Sequence, residues 1–153
     1  MAIPKFLLDS KGSWKGETQL HLEWLPEDKR VQTSSTFLHV ETDRDHKYAK
    51  IDYIWYYEGT RQEGTMIVCG SNKTGAYEIA WSDSWHQNTA VLHCVGEVKG
   101  NSVKGKGSYK AGDQVWGWTI ELLTTEKGFG VKMENVTPDG KATWAVNSTY
   151  ARE

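Results

Sequence analysis

Aromatic and polar residues alternate in short segments of this 153-residue chain, which contains eight tryptophans and seven tyrosines. The clearest segment covers residues 49–58, where Ile51, Tyr53, Trp55 and Tyr57 occupy every second position. Successive side chains of a β-strand point to opposite faces, so this spacing places the four side chains on one face. The sequence therefore predicts a sheet whose inner face carries large aromatic rings.

Ten such segments follow one another along the chain, separated by turn signals such as Glu58-Gly59 and Pro138-Asp139-Gly140. Residues of these types tolerate a positive φ or preset a turn, so each one ends a strand. The predicted strands lie near residues 13–25, 31–42, 47–58, 62–70, 75–85, 89–99, 102–110, 114–124, 128–136 and 142–151.

An all-β fold follows from this series of short antiparallel strands, which is typical of a sandwich or a closed up-and-down barrel. The even spacing and the lack of a long crossover connection favour the barrel, and closure removes exposed sheet edges. A short helical turn over residues 4–9 precedes the strands, because Pro4 suits the first turn of a helix. We therefore predict one domain over residues 1–153.

Composition excludes several classes of function. Charged residues make up 25% of the chain, the two signs are interspersed and the formal net charge is −2. Nucleic-acid-binding domains carry a basic patch, so no nucleic-acid partner is expected. No apolar run approaches the ~20 residues of a membrane-spanning helix, and the N-terminal apolar run is too short for a signal peptide. We expect a cytoplasmic location, no membrane partner, and free thiols at Cys69 and Cys94.

A Gly-Ser-Trp-Lys-Gly motif at residues 12–16 opens the first predicted strand, and the last strand ends at Arg152. This pairing resembles the calycin superfamily, which includes the lipocalins and the fatty-acid-binding proteins. In that superfamily a Gly-x-Trp motif closes the barrel floor, and a basic residue of the final strand lies across the indole. The resemblance implies a calycin-like barrel in which Arg152 covers Trp14, a cation–π contact worth ~1 kcal/mol.

A closer resemblance covers the chain from Gly59 to the C-terminus. The motifs Trp-Ser-Asp-Ser-Trp-His at 81–86 and Trp-Gly-Trp at 116–118 resemble an uncharacterised bacterial family of small calycin-like barrels. This resemblance implies the fold and leaves the function open. Haem-binding barrels of the nitrobindin type share the Gly-x-Trp-x-Gly opening, but they take their iron-ligating histidine from near the C-terminal end. This chain has no histidine after His93, and no cofactor is expected.

One carboxyl and one imidazole fall on the predicted inner face of the hairpin over residues 77–97. With a short turn at residues 86–88, Trp81 pairs with His93, and Asp83 and His93 lie diagonally across adjacent strands, with Cβ atoms roughly 5.5–8 Å apart. Such a pair can act as acid and base, so Asp83 and His93 are candidate catalytic residues. Alternatively, Asp83 caps the turn by accepting backbone N–H bonds while His93 packs. A turn one residue shorter would reverse the facing of one strand.

The aromatic side chains form a second candidate site. The predicted ligand-binding residues are Tyr53, Trp55, Tyr57, Trp81, Trp85, His86, Trp116 and Trp118. His86 lies in the turn, where it either gates the barrel mouth or is solvated. Rings of this size either surround a cavity or fill a narrow barrel, and the number of strands favours a cavity. The histidines show no pair at a metal-ligand spacing, so no metal site is predicted.

Three functions fit these features. The first is a binding protein that holds an aromatic or otherwise apolar small molecule in the barrel. The second is a cofactor-independent enzyme, an isomerase, cyclase or hydrolase, in which Asp83 or His93 is the acid or base. The third is a structural module that forms a homodimer through the outward-facing Ile54 and Tyr56. The pattern favours the binding protein.

Overall fold

A computed structural model describes residues 1–87 and 89–153. Ten antiparallel strands close into one barrel, and a single short α-helix precedes them. A 3₁₀ turn at Glu27–Lys29 lies in the connection between the first two strands. The elements are α1 (Lys5–Asp9), β1 (Gly12–His21), β2 (Val31–Thr42), β3 (Tyr48–Tyr57), β4 (Thr60–Gly70), β5 (Tyr77–Asp83), β6 (Leu92–Lys99), β7 (Ser102–Ala111), β8 (Gln114–Thr124), β9 (Phe129–Val136) and β10 (Ala142–Arg152).

Each strand pairs with its neighbours in sequence, and β1 pairs with β10 to close the barrel. Tight turns make this order possible: Gly59 and Gly112 adopt φ values of 79° and 65°, a region that side chains other than glycine rarely enter. The predicted all-β, up-and-down barrel with an N-terminal helical turn is confirmed. This architecture is consistent with a calycin-like barrel.

Within residues 1–87 and 89–153, no helix combines the length and the apolar character needed to cross a membrane.

One end of the barrel is closed by α1 and by the first and last strands. Trp14 is buried, and its Nε1 donates to the Ser10 carbonyl at 2.8 Å. Arg152 lies over the Trp14 ring, 4.3 Å from its centroid, and donates to the carbonyls of Asp9 and Lys11, each at 2.5 Å. The contact implied by the calycin resemblance is therefore present in this chain.

The alternating pattern of β3 is realised as predicted. Ile51 and Trp55 are buried, and Tyr53 and Tyr57 pack against the same core.

Two other strands end earlier than predicted. β1 ends at His21, because residues 22–30 form a connection that contains the 3₁₀ turn. The hairpin of β5 and β6 also has a longer connection, over residues 84–91, and this changes the site.

Candidate functional site

The predicted pairing of Asp83 with His93 is wrong. Trp81 lies opposite Leu92, and His93 lies opposite Ala80. Because neighbouring residues of a strand face opposite ways, this one-residue difference turns every side chain of β6 over. The side chain of His93 is 56% exposed on the outer wall, where its Nε2 lies 2.8 Å from the Glu78 carboxylate. The predicted turn at 86–88 included Asn88, which lies outside the described residues.

Asp83 is buried at the end of β5, and each of its two carboxylate oxygens accepts two hydrogen bonds. Oδ2 accepts from the Tyr53 hydroxyl at 2.6 Å and from Trp55 Nε1 at 3.1 Å. Oδ1 accepts from the backbone N–H groups of Trp85 and His86, at 2.8 and 3.0 Å. The two backbone bonds are the capping contacts of the alternative interpretation, so Asp83 both anchors the 84–91 connection and faces the interior.

The hydrogen bonds keep the Asp83 carboxyl ionised. Burial acts to raise its pKa, but the neighbouring His86 side chain, followed by the hydrogen bonds from the Tyr53 hydroxyl and the His86 backbone N–H, outweighs burial and lowers the pKa to about 2. Burial and the negative charge of Asp83 raise the pKa of Tyr53 well above its usual value. The Tyr53 hydroxyl therefore stays protonated and donates to Asp83, while it accepts from Trp81 Nε1 at 2.8 Å. Asp83 is thus an acceptor and an orienting group near neutral pH.

Four indole rings surround the imidazole of His86, and we call them the tryptophan cage. Its members, with ring-centroid distances to the imidazole of 5.7, 5.3, 4.8 and 5.8 Å, are Trp55, Trp81, Trp85 and Trp118. The imidazole Nδ1 lies 3.2 Å from Asp83 Oδ1, but in a geometry that does not form a directed hydrogen bond. With only 13% of its side chain exposed, His86 is enclosed in this structure and is not a solvated turn residue.

The cage contains a buried donor without a partner. Among the described residues, Trp118 Nε1 has no hydrogen-bond partner, whereas His86 Nδ1 makes no hydrogen bond but lies within ion-pair distance of Asp83. A buried N–H without a partner has a cost of about 1–3 kcal/mol. Trp118 Nε1 is therefore well placed to donate to a bound molecule.

The barrel interior is nearly filled by side chains. A cavity of about 20 Å³ remains beside Asp83 and His86, and this volume holds about one water. Its far wall is polar: Thr18 Oγ1 and Ser148 Oγ are 2.6 Å apart, and Thr36 Oγ1 and the hydroxyl of Tyr150 are 3.0 Å apart. The expected wide cavity is therefore absent from the described part of the chain, because the aromatic rings and the His86 side chain occupy that space.

The structure brings together most of the predicted ligand-binding residues. Tyr53 and the tryptophan cage with His86 adjoin Asp83, and Tyr57 flanks the cage with its ring 5.0 Å from that of Trp85. Trp116 is half-buried opposite Tyr109 in the β7–β8 ladder and belongs to no ring pair of the cage among the described residues. The sequence analysis missed the polar wall, although Val146, Ser148 and Tyr150 alternate in the sequence as inner residues do.

A larger groove of about 720 Å³ runs along the outer wall of the barrel, but it is open. Polar and charged side chains form much of its lining, including the half-buried His39 and Asp52 and the exposed Arg61 and Glu63. Sites for small molecules are usually enclosed and mainly apolar, with a few polar groups. The tryptophan cage has this character, so we take it as the candidate site.

No family model matches the chain, and no curated protein is significantly similar to it. Among the described residues, no three His, Cys, Asp or Glu side chains lie close enough together to hold a metal ion. A barrel of this kind hosts many functions, so the function has to be argued from the site itself.

Proposed function

We propose that this protein binds a small aromatic or apolar molecule in the tryptophan cage. One observation carries the proposal: three walls of the cage come from strands, whereas the group in its centre comes from a connection. Trp55, Trp81 and Trp118 belong to β3, β5 and β8, which are paired on both sides within the closed barrel. His86 belongs to the 84–91 connection. A binding site requires walls that keep their position around a space that a ligand can occupy. The strands supply such walls, and His86 can vacate such a space because it belongs to a connection.

The small interior volume defines how a ligand reaches the cage. A space of about 20 Å³ does not admit an organic molecule, so residues 84–87, which carry His86, have to swing away from the barrel. The backbone N–H of Ser84 donates to the Glu63 carbonyl of β4, whereas those of residues 85–87 donate only to Asp83, at Oδ1 and at its carbonyl, among the described residues. Connections of this kind open more easily than paired strands.

The test is to look for a bound molecule and then to alter the cage. Native mass spectrometry of the freshly purified protein detects a co-purifying ligand, and calorimetry with indole measures binding of an aromatic probe. We expect Trp118→Phe to weaken indole binding, because it changes a wall of the cage. The matched control Trp144→Phe alters an indole that stacks on His21 at the outer wall and should leave affinity unchanged. Equal effects of both variants, or no binding of indole, would refute the proposal.

An enzyme that uses the same site is the second candidate, and the contact between Asp83 and His86 favours it. A carboxylate 3.2 Å from an imidazole can orient it as a general base, the part first assigned to His93. His86→Gln should then abolish turnover of the bound molecule while His93→Gln leaves it intact. Binding without any chemical change of the ligand by the unaltered protein would exclude this candidate.

Four further expectations from the sequence stay predictions. They are the kinship with the bacterial family of small calycin-like barrels, the single domain over residues 1–153, the cytoplasmic location and the homodimer through Ile54 and Tyr56. Both residues of the last pair are half-buried on the barrel. A dimer that Ile54→Lys dissociates, measured by light scattering, would support that interface, and a monomeric mass for the unaltered protein would remove it.

A further inference from the structure

The tryptophan cage holds a planar nitrogen ring over a buried carboxylate, and His86 supplies that ring. From this arrangement we infer that the ligand of the cage is a small planar cation, such as an amidinium or a protonated nitrogen heterocycle, which takes the place of the His86 imidazole. The inference rests on the proposed function and narrows it, since it assigns a charge and a shape to the ligand.

The charge follows from what surrounds Asp83. Its side chain is fully buried, and among the described residues the one basic side chain within 4 Å of it is the imidazole of His86, 3.2 Å from Oδ1. If residues 84–87 swing out, the carboxylate loses that neighbour and also the backbone donors of Trp85 and His86. The bonds from Tyr53 and Trp55 to Oδ2 remain, but Oδ1 would keep no donor, and a buried charge that is only partly compensated is unfavourable. A neutral apolar ligand would leave Oδ1 without a donor, whereas a cation with N–H donors would supply both hydrogen bonds and an opposite charge.

The strand-borne walls of the cage suit a cation. The rings of Trp55, Trp81 and Trp118 have their centroids 5.7, 5.3 and 5.8 Å from that of the His86 imidazole, so a cation in its place lies within about 6 Å of all three indoles. Indole faces attract cations through their electron-rich surfaces, more strongly when water is excluded. The adjoining cavity of about 20 Å³ adds room for about one further group the size of a water beyond the volume of the imidazole.

A second polar feature adds a requirement on the ligand. Trp118 Nε1 is buried and has no partner among the described residues. A ligand with an acceptor atom next to its ring would satisfy this donor and gain a hydrogen bond. The inferred ligand is therefore a planar cation that donates to Asp83, and an acceptor directed at Trp118 would add to its affinity.

Benzamidine, benzamide and benzoate test the inferred charge of the ligand. They share a benzene ring and a similar shape, but at neutral pH the first is a cation, the second is neutral and the third is an anion. Calorimetry at neutral pH measures each with the unaltered protein and with His86→Ala, which vacates the centre of the cage. His93→Ala serves as the matched control, since it removes an exposed histidine of the outer wall. We expect His86→Ala to bind benzamidine at least about ten-fold more tightly than benzamide, and benzoate not at all, because charge-assisted hydrogen bonds are the stronger kind.

Two further comparisons test whether the preference for benzamidine arises at Asp83 in the tryptophan cage. The unaltered protein and His93→Ala should bind benzamidine more weakly than His86→Ala, because the imidazole competes for the cage. Asp83→Asn in the His86→Ala background should remove the preference for benzamidine over benzamide. If that double variant does not fold, as judged by circular dichroism, the ratio of the two affinities in His86→Ala decides alone.

The outcomes separate this inference from the proposed function. Benzamide binding as tightly as benzamidine would overturn the inferred charge and leave an aromatic-binding cage in place. A preference for benzamidine that persists unchanged in a folded Asp83→Asn, His86→Ala protein would also overturn it. Binding of none of the three probes to His86→Ala would overturn both the inference and the proposed function.

Discussion

Replacing Asp83 by Asn removes one charge from the centre of the site and changes little in shape. An asparagine whose carbonyl oxygen takes the place of Oδ1 keeps the bonds from the N–H groups of Trp85 and His86. Its amide nitrogen then faces the Tyr53 hydroxyl and Trp55 Nε1, both of which donate to Oδ2 in the structure. The tyrosine hydroxyl can rotate to accept from the amide, but its proton then loses the acceptor it has in Oδ2, and the indole N–H cannot accept at all. The variant therefore deprives two buried donors of their partner.

The pKa of Asp83 sets the size of the pH effect. The carboxyl titrates near 3.8 in an unfolded chain and at about 2 in the folded protein. Since each pKa unit corresponds to about 1.4 kcal/mol, the ionised carboxylate stabilises the fold by roughly 2 kcal/mol. A pKa that is lowered on folding gives stability that is present above the unfolded value. We therefore expect this contribution in full above about pH 5 and its loss as the pH falls towards 2.

Urea denaturation followed by tryptophan fluorescence measures the effect over that pH range. Below about pH 4, the difference in the free energy of unfolding between the unaltered protein and Asp83→Asn should shrink by roughly 2 kcal/mol. Asp52→Asn is the matched control, because this carboxylate is exposed and pairs with Lys50 at 3.2 Å on the outer face of β3. Exposed ion pairs contribute little, so its curve should run close to that of the unaltered protein. Parallel pH profiles for Asp83→Asn and the unaltered protein would refute the reasoning.

Three other features lead to measurable effects. Arg152→Ala should cost about 1–2 kcal/mol in urea denaturation, because the guanidinium lies over Trp14 and bonds two carbonyls; an unchanged midpoint would contradict this. Gly16→Ala should prevent normal folding, since a Cβ would lie 1.8 Å from a carbonyl oxygen of β10. In Gly59→Ala the new Cβ meets open space, so this variant should lower the free energy of unfolding by only about 1–2 kcal/mol, because alanine is strained at a positive φ. Burial raises the pKa of Cys94 to about 11, so this thiol should react with Ellman's reagent far more slowly than the other cysteine; equal rates would contradict this.

Alternation within single strands made the barrel predictable from the sequence. In β3 the aromatic residues fall at every second position, and the structure buries that side against the core. Turn residues fixed the order of the strands, because short turns allow only antiparallel neighbours. The floor was predictable too, since Trp14 and Arg152 come from strands that closure makes adjacent.

Pairing between strands was harder to predict, because it depends on the conformation of the connection. The hydrophobic pattern of β6 is weak: Leu92 and Cys94 point inward, but Val91 and Val95 are exposed apolar residues. Either facing of the strand is therefore compatible with its sequence, and the residues 84–91 decide between them. A β-strand changes face with a shift of one residue, so His93 was placed inside by a small error in loop length.

The position of His86 can be explained by a local rule that the Trp-Ser-Asp-Ser-Trp-His motif contains. An aspartate at a strand end commonly accepts N–H bonds from residues two and three positions later, and Asp83 accepts from Trp85 and His86 in this way. This turn directs the chain back over the barrel, so the imidazole lies in the cage. Oδ1 of Asp83 then has two roles, since it anchors the connection and faces the inferred ligand. A ligand that donates to Oδ1 competes with the bonds that hold the connection closed, so opening of the connection and binding of the ligand are coupled at one atom.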